Sequence, residues 1–180
     1  MADPVPILGL HHFAYRCRDA EETRRFYEDL LGLPLAHLIR ADHVPSTGEY
    51  CPYVHIFFRM TDGSYLAFFD LGDDQAAAPS ANTPAWVNHI ALRVGSVAEL
   101  QAAKRRLEAS GIEVIGPTDH EFIRSIYFFD PNGFRLELTA FAGTSAYLAA
   151  KQASAHEECA AWTREKAERR RAGTPRSVTA

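Results

Sequence analysis

The chain has 180 residues, a net charge of −4 and a pI near 6.0, a size that suits one domain of two fused modules and a balance that offers no basic surface to nucleic acid or an anionic membrane. No apolar run reaches the roughly 18 residues of a membrane-spanning helix, and the start, MADPVPILGL, lacks the basic region of a secretory signal. Three scattered cysteines, Cys17, Cys51 and Cys159, read as free thiols in a reducing, cytoplasmic compartment.

Residues 7 to 17 alternate as a strand, with His12, Ala14 and Arg16 on one face and Phe13, Tyr15 and Cys17 on the other. Asp19 caps the following helix, and Glu22 three residues on makes a capping-box-like start. Phe26, Leu30 and Leu31 supply the apolar stripe and Gly32 the stop. Residues 33 to 39 read as a second strand, 40 to 52 as a polar loop, 53 to 60 as a third strand, TDG as a turn and 64 to 71 as a fourth strand. Residues 72 to 84, GDDQAAAPSANTP, lack apolar periodicity and form a linker.

The order then repeats. A strand over 86 to 94 precedes a helix from Ser96 to about Ser110. A strand over 112 to 115, the loop GPTDHE, a strand over 122 to 129, the turn DPNG and a strand over 134 to 141 follow. The prediction is an α+β fold of two βαβββ modules, about 7–71 and 86–141, paired in one domain over 1–143. Pairing buries a sheet face of each module and leaves a concave surface between them. Residues 144–180 are assigned to a C-terminal helix and tail, with Leu148, Ala160 and Trp162 facing the body. The basic run Arg169–Arg171 complements the helix dipole.

Both modules start with a His before an alternating strand: His12 in HHFAYR and His89 in NHIALR. The last strand of the second carries Glu137. Two imidazoles and a carboxylate are a first shell for a divalent metal with coordination positions left open. Glu137 alternates with Leu136 and Leu138, so it points to one defined face, and an unpaired buried carboxylate is expensive. His12 is chosen over His11 because it holds the place His89 holds before its apolar alternation; His11 would face the other way.

The fragments HHFAYRCRDAEETRRFYEDLLGL, NHIALRV and SIYFFDPNGFRLEL resemble the vicinal oxygen chelate superfamily. That superfamily includes glyoxalase I, methylmalonyl-CoA epimerase, fosfomycin-modifying enzymes, bleomycin-binding proteins and type I extradiol dioxygenases. The resemblance covers about residues 7 to 141 and implies metal ligands at His12, His89 and Glu137. Four residues past the turn glycine, Gly133 leads to Glu137 but Gly63 leads to Ala67. Glyoxalase I and the epimerases resemble one another in having a carboxylate there, so this chain offers three protein ligands. Such a face suits Fe(II), favoured over Mn, Zn or Ni, that must hold substrate and O2.

The resemblance to extradiol dioxygenases implies a role for Tyr127, ten residues before Glu137, in positioning or protonating a ring hydroxyl. Those enzymes have a His near His120, about two residues earlier, where this chain has Thr118. They also have an acid-base His where Ser64 or Tyr65 stands here. The replacement candidate is His55, with His43 in the loop second; His can move protons near neutrality. Arg16 and Arg93, four residues past each ligand His, are similar in place to an Arg that takes a substrate carboxylate in glyoxalase-like relatives, or else close the sheet end in a salt bridge. Phe57, Phe69 and Phe129 are candidates for an aromatic lining.

The sequence therefore predicts a metal-dependent enzyme, an extradiol ring-cleaving dioxygenase acting on a catechol-type small molecule with O2, in a homodimer or higher homo-oligomer. Alternatives are a glyoxalase- or epimerase-like lyase or isomerase acting through an enediolate, opposed by Ala67, and a bleomycin-type drug-binding module, opposed by the triad. A fosfomycin-modifying transferase is opposed by Ala14, where those enzymes have Thr, and by the Arg-free stretch FAGTSAYLAA.

Overall fold

In the computed structural model, which describes residues 6–172, the duplicated sequence folds as two copies of one sheet plan. The first comprises β1 (His12–Cys17), α1 (Ala20–Arg24) continuing into π-helical Arg25–Leu30, β2 (Leu35–His43), β3 (Tyr50–Arg59) and β4 (Tyr65–Asp70). Its strand order is β1-β4-β3-β2, with β1 parallel to β4 and the other pairs antiparallel. The second comprises β5 (His89–Val94), α2 (Val97–Ala109), β6 (Ile115–Asp119), β7 (Ile123–Phe129) and β8 (Arg135–Phe141), in the order β5-β8-β7-β6. A long helix, α3 (Ser145–Arg171), follows. The fold is α+β, two βαβββ modules and a C-terminal helix.

The chain divides into two compact units that do not coincide with the modules. One holds the described residues up to Asn88 together with Phe129–Arg135; the other holds His89–Phe128 together with the described residues from Leu136. The reason the β7–β8 turn belongs to the first unit is a buried polar network. Tyr27, fully buried between Phe58 and Phe68, donates its hydroxyl to Asp130 Oδ2 at 2.9 Å. Asp130 Oδ1 accepts from the backbone N–H groups of Asn132 and Phe134. Asn132 in turn donates to Thr23 Oγ1 at 3.2 Å and accepts from the Arg18 N–H at 2.9 Å. Burial still raises the Asp130 carboxyl above its ordinary value. Buried polar groups are tolerated where they are paired in this way.

Local signals explain the helices. Asp19 accepts from Glu22 N at 2.6 Å and Ser96 from Glu99 N at 3.2 Å, which satisfies a free donor at each first turn. Glu22 does not complete a capping box; its carboxylate pairs with Arg18 at 2.7 Å. Past Arg24 the bonding widens, with Leu31 N reaching Phe26 O at 3.0 Å, and the adjacent Phe26 and Tyr27 are both buried. The widening was not predicted.

Three other expectations are corrected. β2 and β3 run to His43 and from Tyr50, so most of the predicted 40–52 loop is strand and His43 lies at the end of β2. Antiparallel pairing outweighs the polar composition there. β6 spans Ile115–Asp119, most of what read as the loop GPTDHE, because Thr118 and Asp119 pair with Ser125 and Arg124. Finally, α3 buries no residue: Leu148 and Trp162 are 43% and 46% exposed, and Ala160 is exposed too. Its sequence has no apolar stripe to bury. No described helix is long and apolar enough to cross a membrane, and the three cysteines are free.

Candidate functional site

Register assigns the faces. In the first sheet Ala14, Ala67, Phe57 and His37 lie in one row, and Arg16, Phe69, His55 and Ile39 in the next. His12 belongs to this face, while Tyr27 packs on Phe58 and Phe68 of the other. Four histidines gather here. His12 shares a 2.7 Å hydrogen bond with His11 through their Nδ1 atoms, and its ring centroid lies 6.0 Å from that of His55 and 5.5 Å from that of Phe57. His37 packs on Phe57 at 5.5 Å. The sequence reading did not weigh His37. Its signal was the period-two alternation of β2, usable only once the register with β3 was known.

His55 is buried, stacked on Phe69 with centroids 3.6 Å apart and tilted on Phe57 at 4.1 Å. Its Nε2 is shielded from solvent and has no hydrogen-bond partner. Burial, followed by the charges of His12 and His37, lowers its pKa from 6.5 to about 4. The imidazole is therefore neutral at pH 7 and poorly matched to delivering protons near neutrality. Arg16 is engaged locally: its guanidinium pairs with Asp73 and donates to the Gln75 carbonyl at 2.9 Å. Phe129 is 44% exposed and belongs to the first unit.

The second sheet presents a different set. Glu137 is buried and its Oε2 lies 3.0 Å from His89 Nε2, so the first and last strands of the module bring these two predicted ligands together. Tyr127 is on the same side, its ring 6.1 Å from that of His89 in an edge-on arrangement. Its hydroxyl shares a 2.7 Å hydrogen bond with His120 Nε2. Ser125 and Thr139 continue the face through a 3.2 Å bond. Leu136, Leu138, Ile126 and Phe128 alternate onto the opposite side and are buried. Arg93 is exposed on β5.

The structure thus joins His89 with Glu137 and His120 with Tyr127. His12 lies in the other unit, and among the described residues no group of three or more His, Cys, Asp or Glu side chains is arranged to hold a metal ion. The His89–Glu137 pair has the donor chemistry a divalent cation takes, with a buried carboxylate whose partner is an imidazole.

The family model for the Glyoxalase/Bleomycin resistance protein/Dioxygenase superfamily matches residues 9–138. The chain belongs to this superfamily. Among its relatives is YwkD of Bacillus subtilis (strain 168), 29% identical over 132 residues, which covers 72% of this chain and 94% of that protein. Solved structures share the fold. A mutant of the fosfomycin resistance protein FosX from Listeria monocytogenes, complexed with Mn(II) and 1S,2S-dihydroxypropylphosphonic acid, matches with a TM-score of 0.56 at 22% identity, covering 79% of this chain and 98% of its own. TnmS3, an antibiotic binding protein from Streptomyces sp. CB03234, matches with a TM-score of 0.53 at 22% identity, covering 77% and 100%. The superfamily therefore supplies the fold here, and function must be argued from residues.

Proposed function

We propose that this superfamily member is a metal-dependent extradiol dioxygenase that opens a catechol-type ring beside its two hydroxyls, with O2 as co-substrate. The observation that carries this reading is the second sheet face, where Glu137 faces His89 and the neighbouring Tyr127 hydroxyl is fixed by His120. His89 and Glu137 would be ligands of the metal, with Fe(II) preferred; Mn(II) accompanies FosX. A bound divalent metal would supply chelation of both ring oxygens and a lowered hydroxyl pKa.

The chain's own residues do the rest. Tyr127 accepts the proton of a ring hydroxyl as its own proton moves along the hydrogen bond to His120. His120 takes this role in preference to His55, which burial keeps neutral, and His43 at the strand end. Arg93 is the better candidate for a substrate carboxylate, since Arg16 is held by Asp73. A homo-oligomer belongs to the same proposal and is checked by light scattering on the eluting protein.

A second reading, a small-molecule-binding module of the TnmS3 kind, is favoured by the lack of a three-donor cluster among the described residues. One experiment separates them. Protein purified anaerobically is loaded with Fe(II) and given catechol, 4-methylcatechol and 3,4-dihydroxybenzoate while O2 uptake is followed. Uptake with a yellow ring-fission product is the expected result. Tight metal binding without O2 uptake overturns the dioxygenase and leaves a metal-dependent lyase or isomerase; no metal binding leaves the binding module.

A further inference from the structure

The segment Asp119–Phe122, which carries His120, is held from several sides. Asp119 accepts from Glu121 N at 2.8 Å and pairs with Arg124. Glu121 stands at a φ of +69°, in the left-handed region that side chains other than glycine rarely adopt. A non-glycine residue persists there when its surroundings over-determine it. The surroundings here come from the start of α3. Tyr147 donates its hydroxyl to Glu121 Oε2 at 2.5 Å and stacks on Phe122 at 5.6 Å and 22°. The backbone N–H groups of Ala142 and Gly143 both donate to the Phe122 carbonyl, at 2.8 and 2.9 Å. Gly143 sits so close that an added Cβ would lie 2.7 Å from Phe122 Cβ. Thr144 caps the helix by accepting from Tyr147 N at 3.2 Å, which sets the turn Tyr147 projects from.

Beyond that first turn α3 buries nothing. A 27-residue helix that buries no residue and meets Glu121 and Phe122, beside His120, through Tyr147 is poorly explained as core packing and well explained as a brace. His120 N donates to Ile123 O at 3.0 Å, so a loop fixed at Glu121 and Phe122 also fixes the direction of the His120 ring toward Tyr127.

We propose that Tyr147 is a positioning residue: through Glu121 and Phe122, the C-terminal helix holds His120 in its hydrogen bond to Tyr127. The chemical use of that pair rests on the function proposed above, but the bond is observable without it.

The test is made on the full chain by nitrogen-15 NMR of the His120 ring at fixed pH. The wild type should show one ring tautomer held by Tyr127, and Tyr127→Phe should release it to the averaged signals of a free imidazole. Tyr147→Ala should reproduce most of that release while the amide spectrum stays folded. Tyr147→Phe, which keeps the stack on Phe122, should give a partial shift and serves if the alanine variant does not fold. Trp162→Ala, on the same helix but away from the loop, should leave His120 unmoved. Unchanged His120 signals in folded Tyr147→Ala, or an equal shift in Trp162→Ala, overturn the proposal. If catechol turnover is present, Tyr147→Ala should lower kcat about tenfold with KM little changed. No turnover in the wild type counts against the dioxygenase reading alone, since the NMR result stands apart from it.

Discussion

Four residues past its turn glycine the first sheet has Ala67 and the second has Glu137, and the two faces differ around that one exchange. Ala67 is fully buried in a row with Phe57, beside the stacked His55 and Phe69, and no carboxylate enters the row. Glu137 instead draws His89 to 3.0 Å and leaves Tyr127 and His120 paired beside it. The duplicated scaffold has a carboxylate at one copy of this position and a methyl group at the other. The lesson is that equivalent sheet positions carry different chemistry. The first face is aromatic and imidazole-rich, and the second sets a carboxylate–imidazole pair beside a tyrosine–imidazole pair.

Removing Glu137 should erase the difference, and it has the largest expected effect. Glu137→Ala is expected to lower metal affinity beyond the about 10–100-fold typical of outer-shell partners, and to abolish turnover. Calorimetric metal titration checks it. Tyr127→Phe should leave metal affinity intact and lower kcat by about 100-fold, the low end of general acid–base contributions, as read by O2 uptake. Ala67→Glu would give the first sheet the carboxylate it lacks. With no metal present it should lower unfolding free energy by about 1–3 kcal/mol, the penalty for an unpaired buried polar group, and added Zn(II) should restore much of the loss. Denaturant melts with and without metal measure both.

The smallest effect concerns His55. Its folded pKa of about 4 lies below the ordinary 6.5, so the unfolded chain binds the extra proton between those values. Stability from this group is fully present above pH 6.5 and is lost as pH falls toward 4. His55→Phe should flatten the acid side of the stability curve in that window, as thermal melts across it will show. An unchanged acid limb would contradict a buried, neutral His55.

Much of the fold was legible because local rules and the repeat agreed. Asp19 caps where the pattern placed it, the second helix starts at the predicted Ser96, and Gly63 and Gly133, at φ +89° and +83°, mark equivalent turns. β6 was placed over 112 to 115 instead of Ile115–Asp119 because Gly116 and Pro117 opened what read as a loop, while the tertiary pairing with β7 decided the conformation. The length of β2 was missed for the same reason. At the site, the alternation of Glu137 with two leucines located its face, and the repeat located His89. The His120–Tyr127 bond joins residues seven apart across a tight loop, which sequence suggested only by nearness. Tyr147 and Glu121 are 26 residues apart with no shared pattern, so nothing in the sequence announced them.

The most direct test of the central proposal, that His89 and Glu137 are ligands of one divalent ion, is a Mn(II) titration followed by electron paramagnetic resonance on the wild type and on His89→Ala and Glu137→Ala. The expected result is one bound Mn(II) per chain in the wild type and loss of that site in both variants. A wild type that binds no Mn(II), or a site that survives in Glu137→Ala, would contradict it.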